Sequence, residues 1–312
     1  MSAAARAARR GRAPGTPPTM ALAGPVDPAP LRAAGWSLRG VLSADPYLDR
    51  WDAATYVEPA EVSGDPLLDG VAVDGDDRDL AVLLPELRES GLLLFLPTAA
   101  PLDPDVVRAA RAVPEAADVV VGLVARWEPW ARVVAAALPL AAGPPVQVTV
   151  RGWPRGRQAA AELVDLTASW CGEVAAVAAA PAPLPAGELP GGTPVSWALL
   201  TGSGATVLVS HEGPAPLVRL SFATARLEAG PGGACWEGGA VLPLPPPSPW
   251  APPGVHPGLV AAAAALAQAT GGRDVPAQVW PWAADLGDLL VVARVLEALR
   301  TSARTESLVA VA

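Results

Sequence analysis

The stretch "LAVLLPELRESGLLLFLP", residues 80–97, decides how the fold is read. Its first half sets apolar residues at helical spacing and stops at Gly91, a residue suited to the left-handed backbone on which helices often end. Its second half, Leu92 to Leu96, is an unbroken apolar run closed by Pro97, as expected for a strand buried on both faces. A helix feeding a buried strand is the repeating unit of a parallel sheet. The residue before the proline is Leu96, whose side chain neither ionises nor hydrogen-bonds.

Working outward, "TMALAG" (19–24), "WSLRGVLS" (36–43) and "DGVAVDG" (69–75) read as strands, with the polar "DPYLDRW" between the last two. Downstream, Asp103 is placed to cap a helix over "DPDVVRAARAV" (103–113), and "DVVVGLV" (118–124) supplies another strand. This alternation predicts a parallel sheet with right-handed crossovers, a nucleotide-binding type of half. From Val146 the texture changes. "VQVTVRG", "PVSWALLT", "GATVLVSHEG" and "PLVRLSFATARLEAG" alternate with period two and predict antiparallel strands. Between the first two lie a helix, "RQAAAELVDLTASW", and a strand, "GEVAAVAAA". Two helices close the chain, the second with an apolar stripe through Leu286, Leu289, Leu290, Ala293 and Leu296 that suits packing on a sheet.

The 312 residues, 51% of them hydrophobic, suffice for two ordinary cores. All 22 basic residues are arginine, and the net charge of −9 leaves no basic surface to neutralise phosphates, which argues against a nucleic-acid partner. No stretch reaches the roughly 20 apolar residues needed to span a bilayer, so no membrane partner is expected. Residues 1–19 carry arginines without a following apolar core and read as a disordered extension or a misplaced start rather than an export signal. Cys171 and Cys235 sit at no metal-ligand spacing and read as reduced thiols of a cytoplasmic protein. The proline-rich "APAPLPAGELPGG" and "LPLPPPSPWAPPG" have two readings, polyproline segments for an SH3-like partner or, as base rates favour, solvent loops of the second half.

The order of these segments from Met20 onward resembles the Gfo/Idh/MocA oxidoreductases. "DPLLDGVAVDG" looks like that family's third strand, and the opening stretch looks like its helix and the strand that ends Glu-Lys-Pro. Arg126, Trp127 and Pro129 resemble its entry into the second domain, and Glu297, Ala298, Ser302 and Ala303 its final helix. The resemblance implies an α/β chain of two domains. Residues 20–122 would form a Rossmann-like dinucleotide-binding domain. Residues 123–312 would form an α+β substrate and dimerisation domain on a largely antiparallel open-faced sheet, with the last helix returning toward the first domain. It also implies NAD or NADP as cofactor and a sugar, cyclitol or related polyhydroxy substrate.

The chemistry-bearing positions depart from the family. A G-x-G-x-x-G loop uses its first glycine for the turn, its second for close approach of the pyrophosphate and its third for helix packing. Here "GPVDPA" sets Gly24, Val26 and Ala29 at those places, so a valine obstructs the phosphates, Pro25 and Pro28 lack N–H donors, and Asp27 adds negative charge. Exchanging Val26 for glycine would on this view open the approach. Asp45 has two readings, an acid holding an adenosine ribose or a loop aspartate capping the next turn. By resemblance, Phe95, Leu96 and Pro97 stand where the family has Glu-Lys-Pro, so Leu96 replaces the catalytic lysine. Gln158, Glu162 and Asp165 stand at its Asp-x-x-x-His and following acid. Glu162 could act as a base only if burial raised its pKa, and the alternative is that the three form one solvated helix face. His211 and His256 fall elsewhere, and no G-x-S-x-G elbow supplies a hydrolase nucleophile. Two functions therefore stand. One is a NAD(P)-dependent oxidoreductase with Glu162 as base. The other is a non-catalytic relative that binds or assembles, as a homo-oligomer or with an active paralogue.

Overall fold

The protein is described here by a computed structural model that covers residues 16–43, 54–99, 103–113, 119–180, 196–239, 241–244, 255–270 and 283–311. It divides into two compact units, one drawn from Met1–Val124 and Ser248–Leu290, the other from Ala125–Pro247 and Val291–Ala312.

The first unit is built on six strands: β1 (Thr19–Ala23), β2 (Ser37–Leu42), β3 (Ala54–Tyr56), β4 (Gly70–Val73), β5 (Leu93–Leu96) and β6 (Val119–Val121). Their order is β3-β2-β1-β4-β5-β6 and every pair is parallel. All residues of β4, β5 and β6 are buried, the reason these segments read as unbroken apolar runs rather than alternating ones. The helices between them are α1 (Ala29–Ala33), α2 (Pro59–Gly64), α3 (Asp77–Glu89) and α4 (Pro104–Arg111). Helix α3 buries Leu80, Leu84 and Leu87, and its Asp76 cap accepts from the N–H groups of Arg78 and Asp79, each at 2.9 Å. Asp103 caps α4 through Asp105 N–H at 2.8 Å, as its sequence position predicted. Thr19 is in β1, and the Pro18 carbonyl accepts from Ser37 N–H.

Strand β3 escaped the sequence reading, yet it holds the sheet's outer edge. The Tyr56 ring lies across Gly40, where a Cβ would stand 2.2 Å from the ring, and its hydroxyl donates to Asp65 at 2.7 Å. The Arg39 Nε donates to the same carboxylate oxygen at 2.6 Å. Helix α7 (Pro257–Thr270) also belongs to this unit. It packs on α1, β5 and β6, so the second stretch of sequence is not one continuous domain from residue 123 onward. Ala262, Ala263, Ala265 and Leu266 are fully buried there, which explains an alanine-rich helix with no polar side in its middle turns.

The second unit carries a nine-stranded open sheet, ordered β14-β13-β12-β11-β7-β10-β9-β8-β15. Its strands are β7 (Gln147–Arg151), β8 (Val174–Ala180), β9 (Ser196–Thr201), β10 (Thr206–Ser210), β11 (Leu217–Ser221), β12 (Arg226–Gly230), β13 (Gly233–Trp236), β14 (Val241–Leu242) and β15 (Val309–Ala310). All pairs are antiparallel except β7 with β10, so the sheet is mixed. Period-two alternation places Val148, Val150, Val207, Val209, Val218 and Leu220 on a buried face. The other face leaves Leu200, Leu208, Leu217 and Val241 exposed. Helices α5 (Pro129–Ala137), α6 (Arg157–Cys171) and the part of α8 (Leu286–Thr305) from Val291 onward complete this unit.

Candidate functional site

Two places carry the sequence-predicted site residues, one in each unit. In the first, Gly24 ends β1 with φ +84°, and a Cβ there would lie 1.9 Å from the Asp74 carbonyl oxygen. Glycine is thus needed for the turn itself, whatever passes above it. Val26 is buried at 8% exposure. The helix that follows spans only five residues, has Pro28 at its N-cap and receives no side-chain cap. Of the nearby donors, Ala29 N–H is taken by the Asp27 carboxylate at 2.9 Å and Arg32 N–H by the Pro28 carbonyl at 3.0 Å. Beside this loop Asp74 accepts from Thr98 Oγ1 at 2.9 Å and from Gly75 N–H at 3.0 Å. Asp45 lies outside the described residues. This crevice adjoins the reversal of strand order between β1 and β4, where open α/β sheets bind their ligands. The residues present do not fit a pyrophosphate, which needs converging N–H groups and no competing carboxylate.

Leu96, at the end of β5, is 1% exposed and pairs with Val121. Its carbonyl accepts from Gly122 N–H at 2.6 Å, and a Cβ on Gly122 would meet the Pro97 carbonyl oxygen at 2.3 Å, so the backbone packs closely around it. The position is part of the core.

In the second unit, helix α6 carries Gln158, Glu162 and Asp165, and the three do not form one solvated face. Asp165 is 2% exposed and is held by Arg126 through two hydrogen bonds, Nε to Oδ2 and Nη2 to Oδ1, both 2.6 Å. This planar, bidentate pair is the strong form of the interaction, and it occupies both carboxylate oxygens. Glu162 is half-buried, and its Oε1 accepts from Gln158 Nε2 at 2.8 Å. No sequence signal joined Arg126 to Asp165, which are 39 positions apart. Three tryptophans that the sequence reading did not connect meet here, Trp170 of α6 and two from other segments. Trp130 makes edge contacts with Trp153 and Trp170, each with ring centroids 6.1 Å apart. The Trp153 indole donates to the Ala159 carbonyl at 2.7 Å, and its own carbonyl lies 2.8 Å from His211 Nδ1. His211 therefore braces this loop, while His256 Nδ1 accepts from Gly258 N–H at 3.1 Å at the start of α7.

Both cysteines are free, and burial pushes the Cys171 thiol up to about 11, which keeps it protonated and unreactive. Among the described residues, no cluster of His, Cys, Asp and Glu suited to a metal occurs, and no helix is long and apolar enough to cross a membrane. A recess of about 680 Å³ opens on the exposed sheet face, lined by Thr149, Arg151, Ala178, Ala198, Leu208 and neighbouring residues. None of Gln158, Glu162 or Asp165 lines it, so it is separate from the candidate chemistry.

No family model and no curated protein sequence matches the chain. Solved structures do. A levoglucosan dehydrogenase in complex with NADH superposes with a TM-score of 0.69 at 14% identity, over 95% of this chain and 99% of that one. An oxidoreductase from Agrobacterium radiobacter in complex with NAD+, L-tartaric acid and magnesium gives 0.72 at 17%, over 95% and 99%. Aldose-aldose oxidoreductase from Caulobacter crescentus, complexed with glycerol, gives 0.71 at 17%, over 95% and 100%. With its six-stranded parallel sheet and its mixed open sheet, the chain has the two-domain fold of the Gfo/Idh/MocA-type oxidoreductases.

Proposed function

We propose that the chain is a non-catalytic form of this oxidoreductase fold that serves as a binding or assembly partner, and that its NAD(P) site is lost. The observation that carries the reading is Leu96: the place that resemblance gives to the lysine is a fully packed core position. Without a donor there, an alkoxide forming on a polyol substrate has no electrostatic support. Asp165 is closed off by Arg126, His211 is tied through Nδ1 to the Trp153 carbonyl while its Nε2 is buried without a partner, and His256 accepts from Gly258 N–H. Glu162 is left as the one carboxylate of the set that could take a proton.

The exposed face of the nine-stranded sheet supports the assembly half of the proposal. Leu200, Leu208 and Leu217 are exposed on it, and it also carries Thr149, Arg151 and the Arg219–Glu228 ion pair, a mixed surface suited to pairing with a second copy or with an active relative. A polyhydroxy ligand and a cytoplasmic setting belong to the same proposal.

The test is turnover. The purified protein is incubated with NAD+ or NADP+ and a panel of sugars and cyclitols, and reduced cofactor is followed by absorbance. No cofactor-dependent turnover is the expected result. Steady turnover that falls roughly 100-fold or more in Glu162→Gln, but persists in the exposed control Glu86→Gln, overturns it and makes Glu162 the base. Asp165→Asn is unsuitable as that control, because Asp165 is a buried ion-pair partner.

A further inference from the structure

We infer that the crossover between β1 and β2 has been rebuilt from a phosphate cradle into a packing platform for helix α7, so that restoring a single glycine cannot restore dinucleotide binding. This rests on the proposal that the cofactor site is lost and adds its cause. Three observations converge on it.

The first is a count of donors. Of the seven residues 25 to 31, Pro25, Pro28 and Pro30 have no N–H and Ala29 N–H is consumed by Asp27, which leaves three donors, on Val26, Asp27 and Leu31. A phosphate site at a helix start depends on several such groups pointing outward together, supported by the dipole of a helix long enough to have one. Here the helix is five residues long.

The second is where the side chains go. Val26, Pro28, Pro30 and Leu31 are all buried, so the loop turns its apolar groups inward and is held by them. Trp36, which follows the short helix, is 3% exposed, and its indole N–H donates to the Ala263 carbonyl of α7 at 2.8 Å. That bond joins the crossover to a helix 227 positions away in sequence. Val26 is therefore part of a packed structure and not a plug in an otherwise sound cradle.

The third is charge. The exposed Asp27 and the partly exposed Asp74 stand at the same end of the sheet, and both oppose a second anion.

The sequence alone allowed Val26→Gly to open the site; the structure predicts that it only loosens the loop. The experiment titrates the full-length protein with NADH and NADPH by fluorescence, alongside Val26→Gly and Pro28→Ala, with thermal unfolding of each. The expected result is no saturation up to about 1 mM, the range of very weak binding, for all three proteins, with a Tm lower by several degrees in Val26→Gly. Pro28→Ala keeps the Val26 side chain and regains one N–H, so it decides the matter even if Val26→Gly does not fold. Saturation of the wild type at low micromolar NADH or NADPH overturns the inference, as does a tenfold or greater gain in affinity in either variant. Tight binding without turnover would sink this inference and leave the non-catalytic reading standing, whereas turnover would sink both.

Discussion

The end of strand β5 and the middle of helix α6 hold the two positions at which resemblance places the catalytic lysine and histidine, and the two are occupied in different ways. At β5 the side chain is apolar: Leu96 is packed against β6, and its whole strand is buried. Along α6 polar groups are present but engaged, Asp165 by Arg126 from another element and Glu162 by Gln158 on the same helix. The difference matters for reversibility. A core position resists the return of a charge, whereas a paired carboxylate keeps its charge and loses only its freedom to act.

The sharpest test of that contrast is Leu96→Lys, which returns the lysine of the resemblance. An unpaired ammonium at a position 1% exposed costs more than a cavity does. Leu96→Ala, the cavity alone, should cost roughly 2–5 kcal/mol, and Leu96→Lys should exceed it, to the point of abolishing cooperative unfolding in urea. A Leu96→Lys protein as stable as the wild type would mean that the end of β5 opens to water, and the contrast would collapse.

Next in size is the α6 pair. Removing one partner of a buried ion pair strands the other, at a cost of about 3–5 kcal/mol, so Asp165→Ala should be strongly destabilising. Replacing both, Arg126→Met with Asp165→Leu, should recover most of the loss. A double-mutant cycle from denaturant midpoints measures the coupling. Additive single and double losses would show that the two side chains do not depend on each other.

How much of this was legible in the sequence follows from the range of each interaction. The cap at Asp103, the stripe of Leu80, Leu84 and Leu87, and the buried runs of β4 to β6 are local patterns, and sequence order suffices to read them. Strand β3 is three residues long, too short for any period to show, and it forms because β2 offers it an edge. The solvated face along α6 was misread for a related reason. Spacing puts Gln158, Glu162 and Asp165 on one side of a helix, but the arginine that draws Asp165 inward comes from another element. The placement of α7 beside α1 depends on a bond between Trp36 and Ala263, which no window of sequence contains.

A third polar group, at the edge of the first sheet, extends the comparison to pH. Burial, and then the hydrogen bond to Asp65, push the Tyr56 hydroxyl up to about 12. Its neutral form is favoured in the folded state, so its contribution is complete below the ordinary tyrosine pKa of about 10 and is lost as pH rises toward 12. Burial acts to raise Asp65, but hydrogen bonds from Tyr56, Arg39 and the Leu67 N–H outweigh it and hold the carboxyl below its usual value. That contribution is present above the unfolded carboxylate pKa of about 3.9 and is lost as pH falls through the lower folded value. Tyr56→Phe should therefore flatten the fall of Tm between about pH 10 and 12, and Asp65→Asn the fall in acid. An alkaline limb unchanged in Tyr56→Phe would show that the edge is not held in this way.

The smallest effect is expected at Glu162, and it is the one that separates a retired site from a resting one. Gln158 Nε2 donates to Glu162 Oε1 at 2.8 Å, and a glutamine at 162 keeps an amide oxygen able to accept that bond. Glu162→Gln removes the negative charge while preserving shape. Glu162 is half-buried, so the charge is partly solvated and its removal should change stability by no more than about 0.5 kcal/mol, the scale of ordinary surface substitutions. A loss as large as that of Asp165→Ala would mean that Glu162 is as tightly engaged as Asp165, and no proton acceptor would then remain along α6. A marked gain in stability would mean the opposite, that the fold bears a cost to keep a carboxylate there. Such strain is the mark of a group held for function, and it would turn the search back toward a substrate.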